Sequence, residues 1–287
     1  MWRIWLAALF WGLNFPAVKI LIGGISPWTL RSIGLTLGGM LLATVTVASG
    51  QSLAIPKRHW RNLAIAGLLA LAGFNMCAVF AQLLMPASRA AILIYTMPLW
   101  SVLFAWLILG EEIDRLRALS LTIGGLGLAI LSIPFWLQIQ AGEPPYGLVF
   151  VLGAAISWAF GTVYLKRSRI EATPLAITTW QVLAGAAVTI IGMLLFETPR
   201  IELTPIITAT LAYHIIFPQA VAYALWFGLM ARVSASTAAV GTLLVPIFGV
   251  IGAVILLGER PTALDLVGFG LILLSVLIDQ GYRAMRA

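Results

Sequence analysis

Long apolar stretches separated by short polar breaks run through the whole chain, and they constrain its fold more than any other feature. Segments 119–134, 148–159 and 235–257 are largely apolar on every side of a helix. A segment that crosses lipid must satisfy its own backbone hydrogen bonds, and a helix does so internally. Charged residues make up only 9% of the chain, against about 25% in soluble domains. The sequence therefore predicts an all-α polytopic membrane protein.

Polar and Pro/Gly-rich breaks divide the chain into ten predicted transmembrane helices. A span of about 20 residues is long enough to cross a hydrocarbon core of about 30 Å. The connections are short, so we expect the functional site to lie within the membrane. The predicted spans are 2–22, 27–48, 62–84, 87–109, 117–137, 146–165, 174–196, 205–230, 235–257 and 262–280.

Positive charges fall mostly in every second loop. If the N-terminus is cytoplasmic, 12 of the 17 Lys and Arg residues lie on the inner side, where such residues are enriched in membrane proteins. We therefore predict a multi-pass protein of the cell inner (plasma) membrane with both termini cytoplasmic. The distribution explains the net charge of +7 without a nucleic-acid partner. The single cysteine, Cys77, lies in an apolar run, so we expect neither a metal site nor a cofactor.

The two halves of the sequence resemble each other at a nearly constant offset. Trp11 aligns with Trp158 and Lys19 with Lys166, while Leu-Gly-Glu recurs at 109–111 and 257–259. Each half has five spans, an odd number, so the second half must enter the membrane from the opposite side. We therefore predict ten transmembrane helices as two inverted five-helix repeats, residues 1–140 and 146–287. Such repeats form one transport unit with a site between them near the midplane, and this unit could work as a monomer.

One longer motif carries a family resemblance. Ala-Ser-x-Ala-Ala, a proline in mid-helix and a terminal Leu-Gly-Glu occur at 87–111 and again at 235–259, and Pro27 precedes Arg31 in the second span. Over essentially its whole length the chain resembles the EamA branch of the drug/metabolite transporter superfamily, and within it the bacterial amino-acid and metabolite exporters. The resemblance implies a transporter that exports or exchanges small metabolites, above all amino acids, and not an enzyme.

Polar and aromatic side chains near the middle of the spans are candidate substrate contacts, because such groups are rare in lipid and often functional. Helix–helix hydrogen bonding is the alternative for each of them. His214 and Gln219 point about 140° apart on an ideal helix, and periodicity does not decide which of them lines the cavity. The candidates are Trp11, Asn14, Asn75, Gln82, Tyr95, Trp158, His214, Gln219 and Tyr223.

Prolines and glycines indicate where helices bend and approach each other. Pro98 and Pro246, which are equivalent in the repeat, and Pro218 are candidate hinges because proline lacks the N–H that continues a helix. We expect the first two to bend their helices symmetrically. Gly34 and Gly38 form a small-xxx-small step, which predicts close packing of the second span against another helix.

Charged residues limit the mechanism. No Asp or Glu lies in mid-span, so facilitated transport or exchange is favoured over coupling to an ion. Arg31 could hold an anionic group of the substrate, but we favour a contact to helix-end carbonyls. Glu111 and Glu259 are expected to fix the turns that follow their helices.

Two other functions stay open at this point. A carrier of phosphorylated sugars or nucleotide sugars would need at least two cations facing the cavity. An intramembrane lipid-modifying enzyme would need an acidic partner for His214 in mid-span.

Overall fold

A computed structural model describes residues 2–225 and 235–286, and within these it contains no β-strand, only a bridge between Ile25 and Ile201. The end of the predicted span 205–230 lies outside the described residues. In chain order the helices are α1 (Trp2–Leu21), α2 (Pro27–Ala48), α3 (Lys57–Leu84), α4 (Ala87–Leu109), α5 (Arg115–Gln140), α6 (Tyr146–Ser168), α7 (Pro174–Phe196), α8 (Pro205–Leu225), α9 (Ala235–Leu257) and α10 (Ala263–Arg286).

Helices α1 to α8 are each long and apolar enough to cross a membrane, and α9 contains a shorter apolar stretch, Leu243–Leu257. Large apolar side chains remain exposed on the outer faces of these helices: Leu107 is 65% exposed, Leu194 72% and Phe196 74%. Such surfaces are unfavourable in water and suit contact with lipid. The prediction of an all-α membrane protein with several spans is confirmed.

Local signals in the sequence fix where several helices begin and end. Pro27, Pro174 and Pro205 occupy the first turns of α2, α7 and α8, where no N–H is needed. Before α7, the Thr173 hydroxyl accepts a hydrogen bond from the backbone N–H of Ala176, as a helix cap does.

The helices pack in pairs that run across the two halves of the chain. The main contacts join α1 to α9, α4 to α6, α2 to α7 and α5 to α10, while α3 packs on α6 and α8 on α1. If α1–α5 are exchanged with α6–α10, this set of pairs maps onto itself. Each of these pairs joins a helix of the first half to a helix of the second. Most helix–helix contacts of the first half are therefore made with the second half.

Three helices differ from ideal geometry in ways that bear on the site. A π-helical turn covers Leu68–Gly73 in α3 and another covers Phe217–Val221 in α8, at positions that the sequence repeat aligns. Helix α4 is interrupted at residues 95–96 and resumes at Met97, so that Pro98 lies in the first turn after the interruption. Helix α9, in contrast, continues through Pro246. The symmetric bends at Pro98 and Pro246 stay a prediction.

Candidate functional site

An aromatic cluster joins α1 to the π-helical turn of α8. The Nε1–H of Trp11 donates a hydrogen bond to the carbonyl oxygen of Pro218 over 3.0 Å. The ring of Trp11 also meets that of Tyr223 edge-to-face, with centroids 5.4 Å apart. Tyr95, at the interruption of α4, lies in the neighbourhood of Tyr223. Four sequence candidates therefore come together where α1, α4 and α8 meet.

A buried polar pair lies next to this cluster, between α1 and α8. Nδ1 of His214 is 2.6 Å from Oδ1 of Asn14, and the His214 side chain is fully buried. Its other ring nitrogen, Nε2, has no hydrogen-bond partner. An unpaired polar atom in such a position is costly, so it marks either strain or a place where a ligand or water is recognised.

The glycine step of α2 makes room for both His214 and Gln219. A Cβ added at Gly34 would lie 2.6 Å from Nε2 of His214, and one at Gly38 would lie 2.4 Å from Cβ of Gln219. The predicted close packing at these glycines is confirmed, and the partner is α8. The expectation that His214 and Gln219 point apart is wrong, because the π-helical turn has more residues per turn than an ideal helix. Both side chains therefore reach the same face of α2.

Arg31 lies on that face as well, one turn before Gly34. Its side chain is buried, with 3% of the residue exposed, and no hydrogen bond or ion pair to a described residue is found for it. The predicted contact to helix-end carbonyls is therefore wrong for Arg31. Lys19 makes such a contact instead, because its ammonium donates to the carbonyls of Gln82 and Met85 at the end of α3.

The remaining sequence candidates lie outside this cluster. The Asn75 amide donates to the Leu71 carbonyl of its own helix over 2.8 Å. Trp158 packs against the ring of Phe74, with centroids 5.0 Å apart, where α6 meets α3. Gln82 is buried near the end of α3, and its side-chain oxygen has no partner.

Two equivalent glutamates at helix ends have different partners. Glu259 accepts hydrogen bonds from the backbone N–H groups of Ala87 (2.7 Å) and Ser88 (2.9 Å), so it caps the start of α4. Glu111 instead accepts from Lys166 over 2.7 Å and from Arg117 over 3.1 Å. The hydrogen bond from Lys166 holds the pKa of the Glu111 carboxyl below its usual range. The expectation that Glu259 fixes the turn after its own helix is corrected, because its contacts bridge α9 and α4.

Sequence reasoning missed one further residue of this kind. Glu197, directly after α7, accepts hydrogen bonds from the backbone N–H groups of Trp28 and Thr29 and from the hydroxyl of Ser26. A carboxylate favours a helix N-terminus because of the free N–H groups there. Two features of the sequence could have indicated this contact. Glu197 is a single acidic residue directly after α7, and α2 begins at Pro27 without an acidic residue in its first turn.

Taken together, buried polar and aromatic groups are enclosed by apolar helices that span a membrane, which is the arrangement of a polytopic membrane transporter. The chain belongs to the EamA-like transporter family, whose sequence profile matches residues 2–133 and again residues 145–278. The resemblance found in the sequence is thereby confirmed over both halves.

Individual relatives are transporters by name. The chain is 27% identical to the uncharacterized transporter YvbV of Bacillus subtilis, over 97% of this chain and 91% of the relative. It is 27% identical to the uncharacterized inner membrane transporter YedA of Escherichia coli K12 (94% and 87%). It is 25% identical to a probable amino-acid metabolite efflux pump of Salmonella typhimurium (98% and 95%).

A solved crystal structure has the same fold, with a TM-score of 0.67, 23% sequence identity, and coverage of 99% of this chain and 96% of the other. At this level of identity the similarity concerns the fold alone.

Proposed function

We propose that this chain exports or exchanges small metabolites, above all amino acids with apolar or aromatic side chains, by alternating access to a site between its two halves. The halves are residues 1–140 and 146–287, arranged as inverted five-helix repeats in which α9 and α10 also cross the membrane. The protein acts in the cell inner membrane, as a monomer with both termini cytoplasmic. The observation that carries the proposal is the enclosed cluster around Trp11, His214 and Tyr223.

Four observations support the inverted repeat. The family profile matches the chain twice, and the helix pairs map onto themselves when the halves are exchanged. The π-helical turns of α3 and α8 lie at aligned positions. Each turn also receives a hydrogen bond from the first helix of the other half: Trp11 donates to Pro218, and the Ser157 hydroxyl donates to the Leu69 carbonyl over 2.6 Å.

The chemistry of the cluster supports an amphipathic substrate. Trp11, Tyr95 and Tyr223 offer aromatic surface for an apolar side chain, while His214 and Gln219 offer polar groups a short distance away. Small-molecule sites are typically built in this way, from mostly apolar walls with a few polar groups. The name of the Salmonella relative, a probable amino-acid metabolite efflux pump, supports the same substrate class.

The contacts of Glu259 and Glu111 support the proposal that the site is closed by one helix–helix link on each side of the membrane. With the N-terminus inside, Glu259 links the outer ends of α9 and α4, and Glu111 links the inner ends of α4 and α6 through Lys166. The first link is a half-buried helix cap, whereas the second is an ion pair with the largely exposed Lys166. Such unequal links at equivalent places are expected of an inverted repeat held in one of its two access states.

A phosphorylated substrate fits the site less well. A phosphate group carries about two negative charges at neutral pH, and among the described side chains Arg31 is the one buried Lys or Arg. His214 pairs with the amide of Asn14, which does not provide the acid that the enzyme alternative requires.

Flux into liposomes tests the proposal. Purified protein would be reconstituted, and uptake of labelled phenylalanine and leucine would be compared with that of a hexose phosphate, with and without a pH gradient. We expect amino-acid flux that needs no pH gradient. Trp11→Ala should lower it at least tenfold, while Trp106→Ala, a lipid-facing control that is 50% exposed, should leave it unchanged. Absence of flux for every substrate, or equal losses in the two variants, would refute the proposal.

A further inference from the structure

Arg31 is the single Lys or Arg that is buried among the side chains the structure describes. Its Nε atom is enclosed without a hydrogen-bond partner, and no ion pair of its side chain to a described residue is found. An uncompensated charge inside a protein is costly, because its hydration is lost and nothing replaces it. The burial of Arg31 is therefore expected to cost stability in the absence of a bound partner.

Three partly buried cations at the ends of other spans, Arg89, Arg117 and Lys19, each have partners of the kind that Arg31 lacks. Arg89 donates two hydrogen bonds to the Asp265 carboxylate, over 2.9 and 3.1 Å. Arg117 bonds to Glu111, and Lys19 bonds to carbonyls at the end of α3. The same fold thus provides acceptors for each of these three cations, so the missing partner of Arg31 needs its own explanation.

The surroundings of Arg31 place it at the substrate cluster. It shares a face of α2 with Gly34 and Gly38, at spacings of three and seven residues, and these glycines contact His214 and Gln219 of α8. The guanidinium is close enough to the His214 ring to act on it electrostatically. Nε2 of that ring also has no partner. Two incompletely satisfied polar groups therefore lie in the same region, where α2 packs against α8.

We infer that Arg31 binds the carboxylate group of the transported substrate, with the His214–Asn14 pair beside it. A guanidinium presents parallel N–H groups that match the two oxygens of a carboxylate. One buried cation balances one carboxylate, and the Trp11–Tyr223 cluster, one turn from Asn14 along α1, provides aromatic surface for an apolar side chain. The inference deepens the proposed function and rests on it, since it names the group by which that site recognises its substrate.

Competition binding to the purified full-length chain in detergent tests the inference. The probe is labelled L-phenylalanine. The competitors are 3-phenylpropionate, which keeps the carboxylate, L-phenylalaninamide, which lacks it, and inorganic phosphate. We expect the first to compete and the other two to compete at least tenfold less well. Arg31→Met should weaken phenylalanine binding about 10- to 100-fold, as expected for a lost hydrogen bond to a charged group. Arg31→Lys should retain part of the affinity.

Controls separate recognition from a structural role. Arg200→Met changes an exposed arginine at the surface and should leave binding unchanged. Thermal unfolding should show that Arg31→Met is as stable as the parent or more stable, because an unpaired buried charge is removed. Arg89→Met, which leaves the buried Asp265 carboxylate without its cationic partner, should lower the unfolding temperature. If Arg31→Met fails to fold, the competitor series on the parent chain and the Arg31→Lys variant still decide the matter.

These outcomes distinguish failure of the carboxylate inference from failure of the proposed transport function. The inference is overturned if the amide or phosphate competes as well as 3-phenylpropionate, if binding survives Arg31→Met, or if Arg31→Met destabilises the protein as Arg89→Met does. If labelled amino acids cross liposomes but binding does not depend on the carboxylate, the inference fails alone. If the carboxylate binds through Arg31 but no substrate is transported, the proposed function fails and the carboxylate site stands.

Discussion

The most quantitative prediction concerns Glu259, whose carboxylate caps the N-terminal end of α4. Glu259→Ala removes an acceptor from the backbone N–H groups of Ala87 and Ser88, at 2.7 and 2.9 Å. A hydrogen bond to a charged group contributes about 1.5–3 kcal/mol. Glu259 is half-buried, so water replaces part of what is lost, and we expect about 2–4 kcal/mol of destabilisation. At roughly 2 °C per kcal/mol for a chain of this size, the unfolding temperature should fall by about 4–8 °C.

Glu111→Ala is the matched control, because the repeat places Glu111 at the equivalent position. Its partner Lys166 has a side chain that is 68% exposed, and ion pairs of that kind contribute about 0–1 kcal/mol. Its second partner, Arg117, is 11% exposed but is also 4.0 Å from the Asp279 carboxylate, so it keeps an acidic neighbour when Glu111 is removed. Thermal unfolding in detergent, followed by tryptophan fluorescence, would compare the two variants with the parent. A fall for Glu259→Ala that is no larger than for Glu111→Ala would show that the cap does not hold α9 to α4.

Further predictions concern the glycine step and a surface ion pair. Gly34→Ala should lower stability by about 1–3 kcal/mol in chemical denaturation, because its Cβ would meet His214 at 2.6 Å. The added mutation His214→Ala should restore most of the loss, whereas Gly125→Ala, which faces open space, should cost nothing. Because Lys166 lowers the pKa of Glu111 from its usual 4.5, the ionised carboxylate stabilises the fold above about pH 4.5. The advantage of the parent over Glu111→Gln in unfolding temperature should be constant near neutral pH and shrink as the pH falls through the lowered pKa. An advantage that grows on acidification would contradict this assignment.

The helices were predictable from the sequence because lipid imposes a length and a composition on each span. Predicted bounds such as 27–48 and 174–196 coincide with α2 and α7, since Pro27 and Pro174 mark the starts. The glycine step was predictable for a related reason: only small residues allow two helix backbones to approach closely.

The geometry of the site was less predictable, because it depends on contacts between residues far apart in the chain. Asn14 and His214 are 200 residues apart, and nothing local to either residue indicates the other. The shared direction of His214 and Gln219 comes from a π-helical turn, which ideal-helix periodicity does not contain. The missing partner of Arg31 appears only when every neighbouring helix is in place. Sequence reasoning thus found most of the participating residues but assigned Arg31 to a structural contact.

Measuring whether the Trp11–Tyr223 cluster can be reached from both sides of the membrane is the most direct test of alternating access. In a Cys77→Ala background, Tyr223→Cys would be exposed to a membrane-impermeant thiol reagent in right-side-out and in inverted vesicles. Leu194→Cys, on an outer face that is 72% exposed, is the lipid-facing control and should react from neither side. Alternating access through this site predicts that Tyr223→Cys reacts from both sides and that phenylalanine slows both reactions. Labelling from one side only, or labelling that phenylalanine does not affect, would contradict transport by alternating access through this site.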